Sequence, residues 1–206
     1  MFTINLPSRP LLALREIAAK KDVRYYLNGV SLEVGQEGAF LSASNGSILG
    51  VARLAECPAN VQAKVVIPRT LLDRLKPSEA AVTLTARRAP LDGVECWRLE
   101  LATPGMALSD WAAAEMAADW RRVTPKSVSG VAGQFHQDVL SILIRASKAL
   151  HGRSHPSITI GHNGPHDAAL VGFENPDFFG VVMPMRYEAP DAPPAWIDSR
   201  PAAIAA

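Results

Sequence analysis

The sequence predicts an α+β protein in which a strand, a helix and three further strands recur three times. Three observations carry that prediction. Helical segments recur about 60 to 70 residues apart, at Arg9–Asp22, Pro68–Pro77 and Gln137–His155. A short apolar stretch precedes each of them. A cluster of alternating runs, separated by Gly, Asn, Asp and Pro, follows each, as hairpins require. A helix laid on one face of an antiparallel sheet is an α+β layer arrangement.

The first unit opens with the strand "FTINLP" and the helix Arg9–Asp22. It continues with "VSLEV", the turn "GQEG", "AFLSAS", the turn "NGS" and "ILGVARL". The second has the strand "AKVVIP" and the helix Pro68–Pro77, then "AVTLTA", a turn at "PLDG", "ECWRLEL", the turn "TPG" and "MALSDW". The third begins in the region "SGVAGQF" and has the helix Gln137–His155. "SITIG", the turn "HNGPHD", "AALVGF", the turn "ENPD" and "GVVMPM" complete it. Its helix is the clearest amphipath: Val139, Ile142, Leu143, Ala146 and Leu150 share one face, opposite Ser141, Arg145 and Lys148. "WAAAEMAADWRRVTPK" connects the second unit to the third. The expected division is a complete two-unit domain over 1–125, a one-unit half domain over 126–187 and a flexible Pro- and Ala-rich tail over 188–206.

Composition bounds the function classes. A 206-residue chain that is 48% hydrophobic and 20% charged has the material for a real core. No run of 18 or more apolar residues predicts a membrane span, and the N-terminus lacks a signal-peptide layout. Cys57 and Cys96 stand far apart without metal spacing, which points to free thiols in a reducing cytoplasm. Net charge is only +1, yet the three helical segments carry ten Lys/Arg against four acids. They sum to +6 and leave −5 for the remainder. Such a chain can present one sign of charge on one surface, although solvated helix faces give the same count.

The histidines of "HGRSH" and "HNGPH" are spaced i, i+4, but neither pair has a Cys or carboxylate at ligand spacing. There is no phosphate-binding Gly-rich loop, nucleophile elbow or paired-carboxylate motif. "SNGS" at Ser44–Ser47 reads as a turn. The residues therefore ask for no enzyme, no metal and no cofactor. The terminal "FFGVVMPMRY" has two readings: a last strand whose methionines fill core gaps, or a soft groove for another protein.

Four stretches together resemble the bacterial DNA sliding clamp, the beta subunit of DNA polymerase III. They are "DVRYYLNGVSLEV" (22–34), "VVIPRTLLDRL" (65–75), "DWRRVTPK" (119–126) and "GVVMPMR" (180–186). The first three match that family's middle domain in order and spacing. "GQFHQDVLSIL" through "GVVMPMR" is similar to the second half of its last domain. A first domain and half of the last have no counterpart in this chain, which reads as a shortened homologue. "SNGSI" stands where the family has a Thr-Asp-Gly-His-Arg turn, and Ala118 stands where it has a proline.

The resemblance implies the DNA-clamp (processivity-fold) architecture, with helices lining the inner face and antiparallel sheets outside. It implies a non-catalytic ring that encircles duplex DNA without regard to sequence. The residues it turns toward DNA are Arg9, Arg15, Lys20, Arg24, Tyr25, Tyr26, Arg69, Arg74, Lys76, Arg145, Lys148 and Arg153. Either tyrosine could instead begin a core strand. A peptide-binding groove for polymerases and other clamp-binding-motif proteins is implied at Val181, Met183, Pro184, Met185 and Arg186. Leu27, Ser44, Gly46, Leu49 and Val123 would form its facing wall. A clamp loader and a cytoplasmic, nucleoid-associated location follow from the same resemblance. The alternative is a clamp-like protein that modulates a host clamp or its partners without encircling DNA. The third unit lacks a mate, so its helix face and sheet are expected to be open, and a homotetrameric ring is the expected remedy.

Overall fold

The computed structural model describes residues 1–76, 80–113 and 119–186. The expected tail, with Trp196, lies outside the described residues, as do Pro77 and Ala118.

In the first unit, β1 (Phe2–Pro7) leads into α1 (Ser8–Ile17), followed by β2 (Gly29–Gly35), β3 (Gly38–Ser44) and β4 (Ile48–Leu54). The second has β5 (Ala63–Pro68), the one-turn α2 (Arg69–Leu72), β6 (Ala81–Leu91), β7 (Val94–Thr103) and β8 (Met106–Ala113). The third has α3 (Gln137–His151), β9 (Ile158–Gly161), β10 (Ala169–Phe173) and β11 (Phe178–Val182). The turn chemistry is as the sequence demands. Asp92 and Gly93 both take positive φ between β6 and β7, the two-residue hairpin geometry that suits an Asp-Gly pair.

The first two units exchange their leading strands. β1 pairs antiparallel with β6, Phe2 opposite Ala86 and Pro7 opposite Ala81. β5 pairs with β2, Gly29 opposite Pro68 and Val34 opposite Ala63. Neither sheet is complete without a strand from the other unit. The result is a four-stranded sheet, β1-β6-β7-β8, and a seven-stranded sheet, β5-β2-β3-β4-β11-β10-β9. The third unit enters the longer sheet by its last strand, with Val181 opposite Leu49 and Val182 opposite Ile48.

Alternation along the joined strands sorts side chains between two faces. Ile48, Ala52, Val171, Phe178 and Val182 join the main core with α1 and α3. Leu49, Val51 and Val181 face the other way, where Leu170, Phe179 and Trp120 pack on them. The core is anchored by fully buried Leu6, Leu11, Leu14, Ile17, Leu32, Leu41, Leu84, Leu99 and Leu101, each contributing about 1.5–3 kcal/mol of burial.

Several sequence expectations are corrected. The first helix ends at Ile17, not Asp22, because Ala18 turns extended (ψ 141°). The Arg69 guanidinium takes up the freed end, donating to the carbonyls of Arg15 (2.7 Å) and Ala18 (3.1 Å). The second helix is a single turn. Each observed helix therefore carries a net charge of +1, and the rest of the expected +6 sits on loops. "SGVAGQF" forms no strand: only Gln134 makes a bridge, to Met185. A leading strand needs another unit's sheet to pair with, and the third unit has no such partner within this chain. Its helix face is not the open half-core expected, since Leu143, Ala146 and Leu150 are buried where α3 lies along α1. Arg9 reinforces that contact by donating to the His151 carbonyl at 2.9 Å, and Gly152 (φ +65°) ends α3 in the left-handed conformation. "GVVMPM" leaves the sheet at Val182, because the proline two residues on cannot extend a ladder.

Candidate functional site

On the face opposite the helices, three segments far apart in sequence enclose a groove of about 350 Å³. The wall from the first unit comprises Leu27 of the 3₁₀ turn Tyr25–Leu27 and Ser44–Leu49 at the β3–β4 turn. Side chains shape that turn. Ser44 donates to the Ile48 carbonyl (2.7 Å) and accepts from Gly46 N–H (3.0 Å), while Asn45 Oδ1 accepts from the Ser47 and Ile48 amides. Gly46 sits at φ +94°, a conformation that favours glycine. The opposite wall is Val181 and Met183, tied to the turn by Met183 N–H donating to the Ser47 carbonyl at 2.9 Å. The third wall is the 3₁₀ turn Trp120–Arg122 with Val123. Trp120 packs against Phe40 and Phe179, with ring centroids 5.5 and 6.0 Å apart. Arg121 pins the segment from above, 4.3 Å over the Trp120 ring and ion-paired to Glu33 (3.0 Å) and Glu37 (2.9 Å).

The groove is an apolar trough with a soft lip. Leu49 and Val181 are buried in its floor, whereas Met183 is 46% exposed and Val123 56%. Such a surface can seat the apolar side chains of an extended peptide, and a flexible thioether lets the lip adapt. Of the residues expected here, Leu27, Ser44, Gly46, Leu49, Val123, Val181 and Met183 line the cavity. Pro184, Met185 and Arg186 do not; the chain turns away beyond Met183, and Met185 N–H donates to the Gln134 carbonyl at 2.8 Å. Sequence reasoning missed Trp120, Ser47 and Ile48, and it placed Arg24 and Tyr26 toward DNA although both line this groove. The "DWRRV" match did contain the missing tryptophan.

Arg24 is fixed by its neighbour. Asp22 accepts from the Arg24 backbone N–H, Nε and a terminal nitrogen at 2.8–2.9 Å. That contact raises the guanidinium pKa and lowers the Asp22 carboxyl to about 2, chiefly through the side-chain hydrogen bond. Asn28 closes the loop, accepting from Lys21 and Asp22 N–H and donating to the Asp22 carbonyl.

The basic residues fall into two groups. Arg15 and Arg69 brace the α1–α2 junction: Arg15 donates to the Leu72 carbonyl, and the Arg69 side chain is only 16% exposed. Arg9 caps α3, and Arg153 pairs with Glu174. All four make contacts within the chain, and the Arg153 side chain stays exposed. Lys20, Arg74, Lys76, Arg145 and Lys148 are exposed, with Arg145 reaching Glu16 at 3.3 Å. Tyr25 is half exposed, its ring edge-to-face on Tyr26.

Several solved bacterial clamps share this arrangement. A DNA polymerase sliding clamp from Pseudomonas aeruginosa superposes with a TM-score of 0.66 over 90% of this chain and 66% of its own, at 18% identity. This is the DNA sliding-clamp fold. The beta sliding clamp of C. crescentus, with polyethylene glycol bound at a putative beta-motif tethering region, matches at TM-score 0.65 and 16% identity, covering 90% of this chain and 66% of that one. The DNA polymerase III beta subunit of Thermotoga maritima matches at 0.60 and 15%, covering 91% and 66%. The chain thus spans just under two thirds of the length of these clamps. No protein-family model and no curated protein matches the sequence.

Proposed function

We propose that this chain is a non-catalytic clamp-type protein that encircles duplex DNA and tethers polymerase or repair partners through the outer groove. The observation that carries the reading is the groove itself. Leu27 and Leu49 from the first unit, Trp120 and Val123 from the connector, and Val181 and Met183 from the third unit converge on one apolar trough.

The DNA-directed part rests on the exposed cations Arg145, Lys148, Lys20, Arg74 and Lys76. They would attract phosphate without reading bases. The division into a two-unit domain over 1–125 and a half domain over 126–187 belongs to the same reading, as does a cytoplasmic, nucleoid-associated location. Among the described residues no helix is long and apolar enough to cross a membrane. Ring closure would come from self-association. Among the described residues β9 is an edge strand bonded only to β10, and Val128, Val131 and Ile144 are exposed on the third unit. A homotetramer, with third units paired about two-fold axes, would supply the missing mate and close a twelve-unit ring; a clamp loader would open it.

The groove is tested by fluorescence titration with a labelled peptide carrying two or three apolar anchors, for which micromolar binding is expected. Met183→Asp sets an unpaired charge at the apolar lip and should abolish measurable binding. Unchanged binding by that variant, with folding intact by circular dichroism, overturns the assignment.

A further inference from the structure

On the helix side of the Tyr25–Leu27 turn lies a second, larger cavity, separate from the peptide groove. It measures about 760 Å³, within the roughly 300–1,000 Å³ of ligand pockets. Among the described residues its walls come from the loop after α1 (Lys20, Lys21, Tyr25), the β5–α2 junction (Pro68) and the end of β8 (Trp111, Ala112). We propose that this cavity receives an unpaired base of single-stranded DNA, with the flanking phosphates on Lys20 and Lys21. The proposal goes beyond the ring reading and does not require it.

Three features argue for that ligand. Two aromatic rings line the cavity, and one of them, Trp111, carries the Arg98 guanidinium 5.2 Å from its centroid, a cation–π contact that braces the ring. Rings of this kind stack nucleobases whatever their sequence. The lysines are the second feature. Lys20 and Lys21 are exposed, and neither ammonium has an ion-pair partner among the described residues. Arg69, also in the wall, is already spent on the Arg15 and Ala18 carbonyls and Asp73. The rim therefore holds two uncommitted positive charges beside an aromatic and apolar floor. The third feature is the backbone. Lys21 has φ +144°, a costly conformation for a lysine. Asn28 maintains it, accepting from Lys21 N–H at 2.9 Å and Asp22 N–H at 2.8 Å. The loop is thus held in a shape that sets both lysines on the cavity rim.

The peptide groove offers no such combination: its lip is Met183 and Val123, and the cation in its described lining, Arg24, is bound to Asp22. An aromatic floor with free ammonium groups suits a base and its phosphates better than an aliphatic peptide.

Fluorescence anisotropy of a labelled hexathymidylate with the full chain at low salt tests the site. So short a strand needs no encirclement, so failure here and failure of the ring reading are separable. Binding is expected to weaken about tenfold in Trp111→Leu and in Tyr25→Leu, the lower part of the range for losing one stacked base. The double variant Lys20→Gln/Lys21→Gln should lower the log–log salt slope by roughly 1.4, about 0.7 per lost phosphate contact on a single strand. Trp111→Tyr, which keeps a stacking ring, should restore most of the affinity, and Arg87→Gln on β6 should leave binding as in the parent. Parent-like affinity in all the pocket variants overturns the proposal. So does equal competition by thymidine monophosphate at the same molar concentration, because the site would then take a free nucleotide and not a strand.

Discussion

Single side chains decide the shape of the groove's first wall, and Asp22 is the residue whose chemistry can be followed directly. Its carboxylate accepts three hydrogen bonds from Arg24, and its pKa falls from 3.8 to about 2. A carboxyl with a depressed folded pKa adds stability above its unfolded value. That contribution fades as pH drops from about 4 and is gone once pH passes below about 2. A carbon-detected NMR titration should place the Asp22 midpoint near 2, and Arg24→Ala should return it toward 3.8. A wild-type midpoint near 3.8 would mean the pair does not form in solution. Asp22 and Arg24 were legible in the sequence only as part of a matching motif. That Arg24 is spent on Asp22 depends on a turn whose geometry comes from Asn28, six residues on.

Among the elements, the exchanged strands carry the tightest constraint. β2 and β5 run so close at Gly29 that a Cβ there would lie 2.4 Å from the Ile67 carbonyl oxygen and 2.8 Å from Val66 Cγ1. Both neighbours belong to the paired strand, and the oxygen is backbone, so relief requires moving a ladder. Gly29→Ala should therefore destabilise the protein by about 1–3 kcal/mol, as overpacking does, read as a lower denaturant midpoint at unchanged slope. An unchanged midpoint would mean that β5 does not pair with β2 in this register. Element existence was readable because hairpin turns and alternation are local. "ILGVARL" and "AKVVIP" coincide with β4 and β5 residue for residue. Helix ends were not readable: α1 stops where the side chain of Arg69, more than fifty residues away in sequence, satisfies its last carbonyls. "SGVAGQF" has a strand's composition but no sheet to join, and composition cannot report a missing partner.

At the scale of the whole molecule, two measurements follow from the clamp reading. Light scattering at micromolar protein should give the mass of four chains. A stable dimer would mean an open or smaller assembly, and a monomer would favour a protein that acts without encircling DNA. On circular duplex DNA, Arg145→Glu with Lys148→Glu should weaken retention and flatten the log–log salt dependence by roughly 2, about 0.9 per lost phosphate contact. Parent-like retention at low salt would show that α3 does not face the duplex.

The sequence by itself determined the helix and three following strands of each unit, most of their turns, the amphipathic third helix and most of the groove's wall residues, because each depends on spacing within a few residues or on a short matching motif. Tertiary structure alone decided which sheet each leading strand joins and that β11 pairs with β4, since strand pairing is a choice among distant partners. It also decided that α3 buries its apolar face on α1, and which arginines are braces and which remain open to a ligand. Those outcomes follow from hydrogen-bond satisfaction at helix ends and sheet edges, where the partner is set by proximity in the folded chain and not by its place in the sequence.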